Sequence, residues 1–164
     1  MVRNSRRIIG IDPGVATTGW AIVDLIDGDL TAVDYGVIET VKTLSLSERL
    51  SEIYTDLLSL IEKYNPEYAG VEQLLFCNNA KTAIAVGEAR GVVLLALQQS
   101  GIKFIECTPL QMKQSITGYG KADKKQVQEN IKRIFNLEEI PKPDDAADAL
   151  GMAITALGMI GTGL

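Results

Sequence analysis

The sequence predicts an α/β fold, a mixed five-stranded sheet with helices on both faces. Residues 8–39 hold three apolar runs, the second and third joined by the turn dipeptide Asp27-Gly28. From Ser47 onward the apolar spacing becomes three and four, the period of a helix. Helical stretches then alternate with short apolar runs at 68–72 and 103–107. Alternation of this kind after a strand meander defines the α/β class.

Taken in order, Ile8 to Asp12 is a strand that stops at the turn signal Pro13-Gly14. Gly19 to Asp24 and Leu30 to Glu39 complete an antiparallel meander. In Ser47 to Tyr64, Leu50, Ile53, Tyr54, Leu57, Leu58, Leu60 and Ile61 form one helical face, with Ser47 as the expected cap and Pro66 beyond the end. Tyr68 to Glu72 is a short buried strand. Asn79 to Ser100 is a long helix stopped by Gly101, and Lys103 to Cys107 is the fifth strand. Helices follow at Pro109 to Thr117, Asp123 to Phe135 and Asp144 to about Ile160, with Gly118-Tyr119-Gly120 breaking the chain between the first two. No linker or repeat divides the chain, so residues 1–164 are expected to form one domain.

Composition removes whole classes of chemistry. There is no histidine, which excludes histidine triads and His-ligated zinc. Cys77 and Cys107 lack metal-ligand spacing and are expected as free thiols. No apolar run is long enough to span a bilayer and no signal-peptide core follows the basic start, so no membrane partner and a cytoplasmic location are expected. The net charge is −5, yet residues 103–133 carry a net +4, leaving −9 elsewhere. That asymmetry suits a polyanion-binding surface beside an acidic site, and equally a solvated lysine-bearing helix.

Four carboxylates stand out. Asp12 ends the first strand and shares a face with Ile8 and Gly10. Glu72 ends the fourth. Asp145 and Asp148, three apart, share a helix face, and Ala146, Ala147 and Ala149 keep that turn slim. Each has an ordinary explanation when taken singly. Asp-Pro-Gly is a common turn, Glu72 an exposed strand end, and acids in a first helical turn complement the helix dipole. Asp144 is expected as an N-cap. Together, two strand ends and one helix start can converge, and gathered carboxylates repel unless a divalent cation joins them. An all-oxygen donor set suits Mg2+ or Mn2+, and two such ions can activate water against a phosphodiester.

These residues lie in Ile9-Gly10-Ile11-Asp12-Pro13-Gly14, Thr18-Gly19, Val71-Glu72-Gln73, Asn79-Ala80, Gly87-Glu88-Ala89-Arg90-Gly91 and Asp145-Ala146-Ala147-Asp148-Ala149-Leu150. In order and spacing the set resembles the RuvC-type Holliday junction resolvases over nearly the whole chain. The resemblance implies a ribonuclease H-like fold and a homodimer that nicks four-way DNA junctions symmetrically in recombination and repair. It implies Mg2+ or Mn2+, two ions per site, held by Asp12, Glu72, Asp145 and Asp148 as the catalytic acids. It implies DNA contacts by Lys113 and Lys124, with Lys121 and Lys125 as weaker candidates, and a junction-recognition and branch-migration complex as partner. Many relatives carry a phenylalanine three residues after the glutamate. Here Leu75 stands there and Phe76 follows, so Phe76 is either the DNA-stacking aromatic or a core residue.

The long helix carries Gly87 and Gly91, with Ala80 and Ala83, as a close-approach face for the dimer or for its own sheet. Three rival functions remain at this level: a nuclease of the same fold acting on RNA–DNA hybrid or ribosomal precursor, an actin-like ATP-binding domain, for which 164 residues is short, and a non-catalytic junction binder.

Overall fold

The computed structural model describes residues 5–74 and 79–161. Leu75, Phe76 and Cys77 lie outside the described residues. The elements run β1 (Ser5–Asp12), β2 (Thr17–Ile26), β3 (Asp29–Glu39), α1 (Leu46–Tyr64), β4 (Tyr68–Glu72), α2 (Ala80–Gln99), β5 (Lys103–Cys107), α3 (Pro109–Thr117), α4 (Lys124–Ile134) and α5 (Asp144–Gly161).

The five strands form one sheet in the order β3-β2-β1-β4-β5. β3, β2 and β1 are antiparallel neighbours, while β1, β4 and β5 run parallel. Asp27 and Gly28, both with positive φ, turn β2 into β3, as the sequence anticipates. A register shift between Ile22 and Val23 leaves Val33 as the extra residue of β3.

Strand alternation sends side chains to two separate cores. Ile9, Ile11, Ile22, Ala69 and Val71 pack against α1 and α2 through Ile53, Leu57, Ala89, Val93 and Leu97. Ile8, Ala21 and Val23 face the other way, onto α5, α3 and α4 through Leu150, Met152, Met112, Val127 and Ile131. Helices therefore cover both faces, and Asp12 belongs to the α5 face by the alternation of β1.

Two capping expectations need correction. Ser45, not Ser47, caps α1. Its side chain accepts from the Glu48 N–H while Glu48 accepts from the Ser45 N–H, a reciprocal capping box that starts the helix at Leu46. Asp144 is no cap either. Its carboxylate is 2.8 Å from Lys124 Nζ and accepts from Gln128 Nε2 at 2.9 Å. An ammonium on the neighbouring helix outcompetes local backbone N–H groups for that charge.

Candidate active site

β1 and β4 are parallel, and Ile11 pairs with Val71. Both strands thus end at one edge of the sheet, with Asp12 and Glu72 side by side. Asp12 also faces Gly19 across the antiparallel β1–β2 ladder. The turn after Asp12 is pinned by Thr18, which is fully buried. Its hydroxyl donates to the Gly14 carbonyl at 2.7 Å and accepts from the Gly14 N–H at 3.2 Å.

α5 brings the other two acids by lying directly on the strands. A Cβ on Gly10 would stand 1.9 Å from the Ala149 carbonyl oxygen, and one on Gly19 2.0 Å from the Asp145 carbonyl oxygen. One on Gly70 would stand 2.5 Å from the Met152 carbonyl oxygen. The obstructing atoms are backbone, so side-chain repacking cannot relieve them. Three glycines on three adjacent strands form a bed for the helix, and Ala146, Ala147, Ala149 and Ala153 are its fully buried lower face. Ala146, Ala147 and Ala149 were visible as a slim face in the sequence. The strand glycines were not, although one glycine in each of three neighbouring strands was the available signal.

Burial and mutual repulsion follow from this convergence. The Asp12 carboxyl is pushed up to about 10, first by desolvation, then by its hydrogen-bond interaction with Glu72 and the charges of Glu72, Asp148 and Asp145. Asp148 is pushed up to about 6 by burial, with Lys124 opposing the rise and Glu72, Asp145 and Asp144 adding to it. Among the described residues, no three acidic side chains are closed into a metal-holding cage. Mutual repulsion among the gathered carboxylates would be relieved by a bound cation. The donors are all carboxylate oxygens, which fits a hard divalent ion.

Lysines reach the same place from α3 and α4. A cavity of about 230 Å³ is lined by Glu72, Asp148, Lys113, Lys124, Pro109, Met112 and Val127. Gly151 permits this approach, since a Cβ there would stand 2.6 Å from Met112 Sδ, one residue before Lys113. Lys113 and Lys124 therefore face the carboxylates, whereas Lys121 and Lys125 are exposed on the connecting turn and the first turn of α4. Asp144 and Asp145 both lie in the first turn of α5, and Asp144 is the one bound to Lys124.

The chain as a whole is similar to known proteins. A family model described as crossover junction endodeoxyribonuclease RuvC matches residues 8–156. The chain belongs to the RuvC family of crossover junction endodeoxyribonucleases. It is 51% identical to the RuvC of Caldicellulosiruptor saccharolyticus over 149 residues, 90% of each chain. It is 53% identical to that of Roseiflexus sp. over 148 residues, 90% of this chain and 88% of the other. The solved Thermus thermophilus RuvC superposes with a TM-score of 0.87 at 30% identity, covering 96% of both chains. A second structure of that RuvC, in complex with a Holliday junction substrate, also gives a TM-score of 0.87, at 28% identity and 96% of both chains. The ribonuclease H-like α/β fold and the enzyme class expected from sequence are thereby shown.

Proposed function

We propose that this RuvC-family nuclease resolves four-way DNA junctions by paired symmetric nicks during recombination and repair. The single observation that carries the reading is the cavity where Glu72 and Asp148 meet Lys113 and Lys124. Acids alone would repel a phosphodiester, and lysines alone would bind it without cutting it.

Asp12, Glu72, Asp145 and Asp148 would hold Mg2+ or Mn2+, two ions per site. The ions supply a water nucleophile at neutral pH and charge stabilisation for the leaving oxygen. The chain's own residues do the rest. The β1 and β4 ends fix Asp12 and Glu72 in register, and the glycine bed fixes Asp145 and Asp148 over them. Burial keeps bulk water from screening the cluster, so its demand for positive charge is strong. Lys113 and Lys124 hold phosphate oxygens beside it, with Lys121 and Lys125 extending the basic path outward. Such contacts position a strand without reading its sequence. Phe76 is assigned to DNA stacking near the junction centre.

Two scissions at symmetric positions need two copies of the site. The outer face of α2 supports a homodimer. Ile84 and Leu95 are 64% and 51% exposed, and a Cβ on Gly91 would meet nothing within 4 Å. Gly91 is therefore open to a partner, while Gly87 already lies against Leu74. No helix among the described residues is long and apolar enough to cross a membrane. A cytoplasmic location and a branch-migration complex as partner complete the proposal.

The test compares a four-way junction with linear duplex and RNA–DNA hybrid in the presence of Mg2+. Paired nicks at symmetric positions in the junction are expected. Preferential cutting of the hybrid would replace this reading with that of a hybrid nuclease.

A further inference from the structure

The turn between the two lysine-bearing helices holds a large aromatic in the open. Tyr119 is 58% exposed, and Leu110 on the first turn of α3 is 54% exposed. Gly120, the residue after Tyr119, packs on Leu110 so closely that a Cβ there would stand 2.5 Å from Leu110 Cδ1. The backbone of Tyr119 is held at both polar groups. Its N–H donates to Thr117 Oγ1 at 3.1 Å, and its carbonyl accepts from the Ala122 N–H at 3.1 Å. The same hydroxyl donates at 2.7 Å to the carbonyl of Lys113, tying the turn to the residue that lines the acidic cavity. Gly118, at φ 73, caps α3 in the left-handed conformation and sets the direction of the turn.

The ring itself makes no aromatic or cation–π contact among the described residues. Single exposed aromatics are common on protein surfaces. This one stands on an anchored backbone, on the segment bearing Lys113, Lys121, Lys124 and Lys125, in a chain of net charge −5. Asp123, the acid nearest in sequence, caps α4, and Asp144 is paired with Lys124. Local positive charge around a rigid apolar platform complements a nucleic-acid strand, whose phosphates need cations and whose bases offer flat apolar faces.

We propose that Tyr119 is a stacking platform for a nucleotide of the DNA strand entering the active site. The inference rests on the DNA reading of the lysine face and adds a contact that phosphate-binding lysines cannot supply. The ring packs on a base or deoxyribose, holding the strand laterally while Lys113 and Lys124 hold its phosphates.

The experiment measures fluorescence anisotropy of a labelled four-way junction and a linear duplex, with divalent metal omitted so that nothing is cut. Tyr119→Ala should weaken junction binding about tenfold. Tyr119→Phe should stay within about twofold of the wild type, since the ring and not the hydroxyl acts. The slope of log affinity against log salt should be unchanged in both, because no phosphate contact is lost. Tyr119→Ala binding as tightly as the wild type would overturn the proposal, as would an equal loss in Tyr119→Phe. A wild type that shows no preference for the junction over duplex removes the junction reading alone, and Tyr119 is then judged by the same variants on the duplex. A wild type that binds neither DNA overturns both.

Discussion

Gly19 lies so close to Asp145 that a single added methyl would fall 2.0 Å from the Asp145 carbonyl oxygen. Gly19 is also the residue paired with Asp12 across the sheet. One contact therefore sets the distance between the acid on β1 and the acids on α5. Gly19→Ala should cost more than the about 1–3 kcal/mol typical of overpacking, because backbone must move. It should also reduce nicking by at least about a hundredfold, since a misplacement of about 1 Å has that effect on catalysis. Thermal unfolding and a junction-nicking assay read the two effects separately. A variant with wild-type activity contradicts the placement of α5.

Stability without metal should depend on pH in an unusual direction. Asp148 and Asp12 have folded-state values raised to about 6 and about 10 from 3.8. An acid raised on folding binds its proton more tightly in the folded state, so its contribution is fully present below about pH 4 and is lost as pH rises. For Asp148 the loss falls between about pH 4 and pH 6, and for Asp12 it continues toward pH 10. In metal-free buffer the Tm should therefore fall across this window, whatever other groups do below it. Asp148→Asn should raise the metal-free Tm at pH 8 and flatten the profile between pH 4 and pH 6. Mg2+ should raise the wild-type Tm and leave Asp12→Asn nearly unmoved. Equal Mg2+ stabilisation of both proteins in calorimetry counts against Asp12 as a ligand.

Lys124 has two jobs that one substitution separates. It is bound to Asp144 at 2.8 Å, and its charge opposes the rise at Asp148. Lys124→Ala should weaken junction binding and lower the salt slope by about 1, the signature of one lost phosphate contact. Lys113→Ala should do the same without raising the Asp148 value further. An unchanged salt slope in both variants would remove them from the DNA interface.

The exposed stripe of α2 gives a prediction about assembly. Ile84 and Leu95 are solvent-facing in the single chain. Replacing Leu95 with glutamate should leave the Tm of the isolated chain nearly unchanged and shift sedimentation from dimer to monomer. It should also convert paired nicks into independent single ones. A Leu95→Glu protein that still sediments as a dimer moves the interface elsewhere.

The sequence carried most of the fold because its signals are local. Asp27-Gly28 marks a hairpin, the spacing of Ile53 and Leu57 marks a helix face, and each occurs in the structure as expected. The two errors at helix starts are also local in origin. Ser45 and Ser47 are both good caps, and only the reciprocal bond with Glu48 chooses Ser45. Asp144 was assigned to its own helix because the competing Lys124 is twenty residues away and meets it only after α4 packs. The four acids were legible as a set, yet the means of gathering them was not. Gly10, Gly19 and Gly70 act through contacts with a helix more than seventy residues further along the chain, beyond the reach of any periodic pattern.

The central claim is that the carboxylates on β1, β4 and α5 form one metal-dependent centre for cutting junction DNA. It is tested most directly by incubating a labelled four-way junction with the wild type and with Asp12→Asn, with Mg2+ omitted and then restored. The account predicts junction binding by both proteins under both conditions, and paired symmetric nicks only for the wild type with Mg2+. Nicking without metal, or undiminished nicking by Asp12→Asn, would contradict it.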